Sequence, residues 1–318
     1  MEEITNIKIS ELCSKVCSGG TPKSSVPSYY DGNIPWLNTK EINFNRIYST
    51  EKSITEDGLN NSSAKWIDKN AVIVAMYGAT AGKTAISKIP LTTNQACSNL
   101  MIDADKADYR FVYYALVSEY NRLASLANGG AQQNLNAQQI KDFEIPFFSL
   151  KDQKRIANIL STLDDKIELN RRINDNLEQQ AQLLFDNLIN ASDWSTTQFL
   201  SELSEINPPR KLSKGEYAPF VEMSNMPTSG SFPSRIDYKE YNGGMKFRNG
   251  DTIMARITPC LENGKAAYVN FLKENEIGFG STEYIVLAPK KTISSSFLYF
   301  LVRNKEFVDL SLIHISEP

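Results

Sequence analysis

The sequence predicts an α+β protein built as two copies of one small domain, each a mixed β-sheet with helices, joined by a long helix of coiled-coil type. Three observations carry this. Ile9-Ser10-Glu11-Leu12 is echoed by Leu200-Ser201-Glu202-Leu203, and Phe111-Val112-Tyr113-Tyr114-Ala115-Leu116-Val117 by Phe297-Leu298-Tyr299-Phe300-Leu301-Val302-Arg303, at offsets of 191 and 186 residues. Between these anchors, Ala75 and Gly82-Lys83-Thr84-Ala85 answer to Ala255 and Gly264-Lys265-Ala266-Ala267. The drifting offset is what loop insertions between fixed elements leave. Stacked solenoid repeats recur every ~20–50 residues, so so long a period marks a duplicated domain. The boundaries implied are 1–150, a spacer helix over 151–192, a second domain over 193–310, and a tail at 311–318.

In the first copy, Lys8 to Cys17 has the pattern of a short amphipathic helix, with Cys13 and Cys17 on one face. Gly19-Gly20-Thr21-Pro22 and Pro27 then mark a loop. Ile34-Pro35-Trp36-Leu37 and Ala71-Val72-Ile73-Val74-Ala75-Met76 read as strands, the second an uninterrupted apolar run typical of a buried sheet. Tyr109 to Leu126 has helical periodicity, stopped by Gly129-Gly130. The order recurs with strands near Phe220-Val221, at Asp251-Thr252-Ile253-Met254 and at Glu283-Tyr284-Ile285-Val286-Leu287, and a helix from Ser296. Mixed short strands and helices, used twice, give the α+β class.

The spacer is the clearest element. Two interleaved heptad series run along it: Ile156, Leu163, Asn170, Leu177 and Leu184, and Leu160, Ile167, Asn174, Ala181 and Leu188. Asn170 and Asn174 interrupt an otherwise apolar seam, and buried Asn amides weaken a helix interface while fixing its register and partner number. From Asp152 to Asn190 the helix would extend roughly 58 Å. Such a ruler could hold two domains more than one turn of B-DNA apart, a turn being about 34–36 Å. An amphipathic helix packed inside one domain is the plainer reading of the same periodicity.

Composition narrows the function. The 318 residues suffice for two globular domains. Cys13, Cys17, Cys97 and Cys260 form no C-x-x-C pair, and the lone His314 cannot complete a zinc set, so reduced thiols and no metal site are expected. Neither a signal-type apolar core nor a run of about 18 apolar residues is present. A cytoplasmic protein without membrane contact is expected. The net charge of −3 is unlike that of a free-standing DNA binder. Residues 1–150 carry 14 basic and 15 acidic side chains, 151–195 carry 6 and 8, and 196–310 carry 14 and 13. Any phosphate neutralisation must therefore come from local patches or partner subunits.

Tyr77-Gly78-Ala79-Thr80-Ala81-Gly82-Lys83-Thr84 follows an apolar strand where a phosphate loop would sit, but three residues separate Gly78 from Gly82-Lys83, and the loop that wraps a nucleotide phosphate needs four. ATP binding is not expected. The second copy has Glu262-Asn263-Gly264-Lys265 at this place, so a Gly-Lys turn belongs to the duplicated fold. It suits a DNA phosphate contact, and a solvated hairpin accounts for it equally. His314 cannot serve a nucleophile in either domain. Asn207-Pro208-Pro209-Arg210 resembles the base-holding motif of amino methyltransferases, but Arg210 replaces the aromatic and no glycine-rich cofactor turn precedes it, so it reads as a loop. Gln132, Gln133 and Asn134 carry amides able to pair both edges of an adenine, or to orient the helix that follows. Lys40, Arg46, Lys65, Thr80, Lys83, Arg210, Lys211, Arg235, Lys246, Arg248, Arg256 and Lys265 complete the candidate DNA contacts.

The chain resembles the specificity subunits of type I restriction-modification systems. The resemblance rests on Ser18-Gly19-Gly20-Thr21-Pro22, Tyr29-Tyr30-Asp31-Gly32-Asn33-Ile34-Pro35-Trp36, the Gly78 to Lys83 turn, Gln133-Asn134-Leu135, and Ile145-Pro146 leading through Gln153-Lys154-Arg155-Ile156-Ala157 into Leu163-Asp164-Asp165-Lys166-Ile167. It covers residues from about 8 to 310. It implies that each repeat is a target-recognition domain reading one half of a bipartite double-stranded DNA site. The spacer would dock two modification (methyltransferase) subunits, which bind S-adenosylmethionine and methylate adenine, and restriction (motor-nuclease) subunits would use ATP and Mg to cleave unmodified DNA. The chain itself is then expected to be non-catalytic and to hold no cofactor. In the family a second spacer helix follows the second domain and packs antiparallel on the first. Here it is expected to be missing, with Ser311 to Pro318 a truncated or non-native tail and the seam left to self-associate or to await a partner. A coiled-coil scaffold with degenerate domains and a stand-alone DNA-modifying enzyme are the alternative readings.

Overall fold

The computed structural model describes residues 5–127, 134–191, 199–291 and 293–315. Contacts divide the chain within its long helix, into Met1–Ile167 and Glu168–Pro318.

In the first unit, β1 (Asn6–Lys8) and a 3-10 turn at Ile9–Leu12 lead into β2 (Cys13–Ser18). Then come β3 (Tyr30–Leu37), β4 (Asn45–Ile47), β5 (Lys52–Ile54), α1 (Glu56–Asn60), β6 (Trp66–Ile67), β7 (Val72–Ala75), β8 (Thr84–Ser87), β9 (Leu91–Thr93) and β10 (Cys97–Ile102). The unit continues through α2 (Tyr109–Ser118), α3 (Tyr120–Ser125), α4 (Ala137–Asp142) and β11 (Glu144–Pro146) into α5 (Leu150–Ala191). Its strands form sheets ordered β2-β10-β7-β8-β4, β5-β3-β9-β6 and β1-β11.

β7 explains the apolar run that predicted it. Val72 and Val74 belong to the core shared with α2 and α5, while Ile73 and Ala75 face a second core with Leu37, Ile67 and Leu91. A strand covered on both faces has no solvent side to alternate toward. The segment Lys8–Cys17 is not the expected helix but a 3-10 turn and a strand. Strand spacing alone would still put Cys13 and Cys17 on one face. A register shift opposite Met101–Ile102 breaks that parity, so Cys13 packs against the first core and Cys17 against the second.

The second unit holds α6 (Leu200–Leu203), β12 (Ser204–Ile206), β13 (Tyr217–Val221), β14 (Asp237–Glu240), β15 (Met245–Phe247), β16 (Thr252–Ala255), β17 (Ala266–Tyr268), β18 (Gly278–Gly280), β19 (Tyr284–Pro289), α7 (Ser295–Arg303) and α8 (Lys305–Ile315). Its sheets run β12-β19-β16-β17 and β14-β13-β18-β15. The first reproduces the order β2-β10-β7-β8. The second reproduces β5-β3-β9-β6 down to its single parallel pair, β13 with β18 matching β3 with β9. β16 is again buried on both faces, Ile253 and Met254 facing separate cores. Residues 311–315, expected to depart from the repeat, continue the helix begun at Lys305.

α5 is 42 residues long. Ser149 caps its start, accepting the Asp152 N–H at 3.2 Å. In the first unit it docks through Gln153, Ala157 and Ser161, all buried. The Gln153 amide accepts the Asp108 N–H at 3.1 Å and donates to the Phe148 carbonyl at 2.9 Å, which stabilises a fully buried polar side chain. Tyr114 donates to Asp164 at 2.6 Å and Arg110 to Asn158 at 2.8 Å. In the second unit Phe185 is buried against Phe297 and Phe300, and Tyr299 donates to Glu178 at 2.6 Å. The heptad seam lies elsewhere. Leu163, Ile167, Leu177 and Leu184 are 49–64% exposed, Asn170 and Asn174 face water, and only Ile156, Leu160 and Ala181 are half-buried.

Phe185→Ala should therefore cost about 3 kcal/mol, whereas Leu163→Ala, in the exposed stripe, should shift stability by under about 0.5 kcal/mol. Urea unfolding of the two variants checks the contrast.

Candidate nucleic-acid interface

In the first unit the register aligns three strand ends at one edge. Ser18 at the end of β2 lies opposite Ser98, and Cys97 at the start of β10 lies opposite Ala75 at the end of β7. The Asn94 N–H donates to Leu37 O at 3.0 Å, bringing the end of β3 to the same edge. The loops leaving it carry Thr21, Gln95, Tyr77 and Thr80. Asn134 joins them through a bridge to Tyr77, and the Leu135 N–H donates to Met76 O at 2.7 Å. Thr21, Gln95, Asn134 and Tyr77 are exposed, and the Thr21 hydroxyl bonds the Gln95 side-chain carbonyl. Hydroxyls, amides and an aromatic ring thus share one surface, able to donate to and accept from base edges.

Backbone chemistry builds this edge. A Cβ on Gly19 would lie 2.1 Å from Thr93 O, and one on Gly20 would lie 2.2 Å from Ala64 N, so the Gly-Gly pair is required by close approach of chain to chain. Trp36 Nε1 donates to Gly20 O at 2.9 Å, fixing the loop from beneath. The Gly78 to Lys83 segment is the turn of a β-hairpin, with β8 returning directly beside β7. No phosphate-facing helix follows it, in keeping with the failed nucleotide-loop spacing.

The second unit repeats the edge. Ala255 lies opposite Tyr284, so the loop after β16 and the Ser281–Glu283 segment before β19 emerge together. The Arg256 N–H donates to Glu283 O at 2.9 Å, and its guanidinium Nε and Nη2 donate to Glu283 Oε2 at 3.2 and 2.8 Å.

The predicted contact residues divide into three groups. Thr80, Lys83 and Asn134 come together at the first edge, and Arg256 and Lys265 at the second. Lys65, Lys211, Arg235 and Arg248 are exposed, as is Lys40, whose ammonium pairs with Glu51 and is raised in pKa first by that hydrogen bond. Arg46, Arg210 and Lys246 turn inward. The Arg46 side chain is 11% exposed and bonds Asp165 of α5. Arg210 donates to both oxygens of Asp251 at 2.7 and 2.8 Å, with side chains 8% and 2% exposed. Burial raises the Asp251 carboxyl above its usual range although Arg210 and the Arg248 N–H favour its charged form. Lys246 donates to the carbonyls of Arg210 and Leu212 at 3.2 and 3.0 Å. These three hold loops in place and are not available to a phosphate. Gln132 and Gln133 lie outside the described residues.

The two Gly-Lys lysines make one contact in two versions. Lys83 Nζ donates to Asn43 Oδ1 at 2.8 Å, and Lys265 Nζ donates to Met223 O at 2.8 Å. The first ties its hairpin to the loop just past the 3-10 segment that follows β3, and the second to the 3-10 segment that follows β13. Glu283, Thr21 and Gln95 were not candidates in the sequence, because only pairing between distant strands brings them to the edge. Asn207-Pro208-Pro209-Arg210 is a loop, as read: Asn207 Oδ1 accepts the Val286 N–H at 2.8 Å. Among the described residues no group of His, Cys, Asp or Glu could hold a metal ion, and no helix is long and apolar enough to cross a membrane.

Comparison with known proteins agrees with this geometry. The specificity subunit of a type I restriction enzyme from Methanocaldococcus jannaschii is 34% identical over 187 residues, 57% of this chain and 42% of that protein. An Escherichia coli type I specificity subunit is 27% identical over 171 residues, 52% of this chain and 41% of its own length. The matched region thus spans about two fifths of each relative. The crystal structure of a type I restriction-modification S subunit from M. genitalium superposes with a TM-score of 0.58 at 19% identity, covering 100% of this chain and 82% of that one, and so shares the fold. The family profile described as the type I restriction modification DNA specificity domain matches residues 1–179, more than half of the chain, which therefore belongs to that family.

Proposed function

We propose that this chain is the sequence-reading component of a type I restriction-modification complex. Each domain presents its strand-end loops to one half of a bipartite site in double-stranded DNA. The observation that carries this is the repetition of one sheet topology with the same polar loop edge in both units. A single-site binder has no use for two such edges, whereas a bipartite target needs one for each half. In this reading residues 1–150 and 193–310 are the target-recognition domains and 151–192 the spacer.

The chemistry is supplied in trans. Modification subunits bring S-adenosylmethionine and methylate adenine, and restriction subunits bring ATP, Mg and the nuclease. The exposed stripe of Leu163, Ile167, Leu177 and Leu184 gives such partners an apolar surface. A net charge of −3 also fits a reader whose phosphate neutralisation is shared with partners. The cytoplasm, where the DNA is, is the proposed location.

Co-expression with a modification subunit, followed by mapping of methylated adenines, tests the reading. A bipartite motif is expected, and removal of residues 199–318 should erase one half of it. Methylation that ignores that truncation would refute two separate readers.

Lys83 and Lys265 give a second test. Because each ammonium is bonded within its own domain, Lys265→Met should destabilise the second domain by about 1–2 kcal/mol, seen in denaturant titration. The slope of log affinity against log salt should stay unchanged, whereas loss of a phosphate contact would reduce it by about 1.

A further inference from the structure

We infer that Arg256 is the residue with which the second domain reads a guanine in its half of the target. This rests on the DNA-reading function proposed above. Arg256 is the first residue beyond β16, at the loop edge, and its side chain is 53% exposed. Its backbone N–H is bonded to Glu283 O at 2.9 Å, so the stem that carries it is fixed to the start of β19. The guanidinium is fixed too, through Nε and Nη2 to Glu283 Oε2.

A guanidinium has five N–H donors. The carboxylate takes two on the Nε–Nη2 side, which leaves the end-on fork of Nη1 and Nη2 uncommitted. Guanine presents two acceptors, N7 and O6, on its major-groove edge, and Arg meets them with two parallel hydrogen bonds. Adenine offers one acceptor and one donor there, so the same fork pairs with only half of its edge. Glu283 also cancels the charge, which makes the pair a poor phosphate clamp and leaves geometry as its means of selection. An exposed ion pair contributes little to stability, so folding alone does not account for it.

Arg171 and Arg172 lie on α5, and the other arginines of this unit are placed differently. Arg210 is buried on Asp251, and Arg303 donates to Gly230 O and Tyr299. Arg235 makes the same two-nitrogen contact, Nε and Nη2 each 2.7 Å from Asp237 Oδ1, but it stands before β14, an edge strand of its sheet, and Arg248 precedes β16, at the end away from the loop edge. In the first unit Met76 and Tyr77 follow the matching strand, so its half-site is read without an arginine at this place.

Selection from a random double-stranded DNA pool by the full chain purified in complex with modification subunits, with the wild type, Arg256→Ala, Arg256→Lys and Glu283→Gln compared, tests the assignment. The wild type should enrich a motif with a guanine in the half lost on deletion of the second domain. In Arg256→Ala that position should become degenerate, its discrimination falling by about 5- to 150-fold, while the other positions persist. Arg256→Lys, which keeps the charge but not the fork, should lose most of it, and Glu283→Gln part of it. An unchanged motif in Arg256→Ala overturns the inference alone, as does uniform weakening at every sequence with a shallower salt slope, the mark of a phosphate contact. If the wild type enriches no sequence, the proposed function fails and the inference falls with it.

Discussion

The docking of α5 by a stripe other than its heptad seam is the constraint on which the rest of this chain depends. Gln153, Ala157 and Ser161 in the first unit, and Phe185 in the second, bury the helix against its own domains. In the first unit this leaves Leu163 and Ile167 exposed, and in the second Leu177 and Leu184. Leucine and isoleucine there keep about half or more of their surface in water. Burying such side chains is worth on the order of 1.5–3 kcal/mol each, which is the energetic incentive for the partner docking proposed above. Polar bonds at the docking face, Tyr114 to Asp164 and Tyr299 to Glu178, fix the rotation of the helix in each unit.

A second constraint is the central strand buried on both faces. β7 and β16 each separate two cores; β7 is wholly apolar, and the single polar side chain of β16, Thr252 at its start, is buried with its hydroxyl unpaired, which costs free energy. Polar chemistry is therefore driven to the strand ends, where Thr21, Gln95, Tyr77 and Asn134 gather in one unit and Arg256 and Glu283 in the other. The rigid sheet sets where the loops begin, and the loops differ between copies. That separation lets one fold present different loop chemistry twice.

Several charges in this chain serve as internal ties. Arg46 holds α5 through Asp165, and Arg210 with Asp251 pins the loop after β12. A buried charge is stable only with a partner and further hydrogen bonds, and the Arg248 N–H and the Lys246 ammonium complete that set. Lysines at the Gly-Lys turns follow the same rule with neutral acceptors. Identity as a basic residue thus says little about access to phosphate, since the same side chain serves equally as an internal tie.

The sequence by itself determined the α+β class, the duplication, the spacer helix and the strands β7, β16 and β19, because periodicity and long-range echo are properties of a linear string. The Gly-Lys turn and the Gln133-Asn134-Leu135 segment were visible for the same reason. Tertiary structure alone decided that Lys8–Cys17 is a turn and a strand, since pairing with β10 overrides a local pattern of helical spacing. It also decided which cations point outward. Arg46 and Arg256 look alike in sequence, yet one meets a carboxylate 119 residues away and turns inward, while the other meets Glu283 across a strand pair and stays at the surface. Thr21 with Gln95 was likewise hidden, because their approach depends on strand register. Local composition carries the propensity of each segment, but the partner of a charged or polar side chain is fixed only when distant segments have folded against each other.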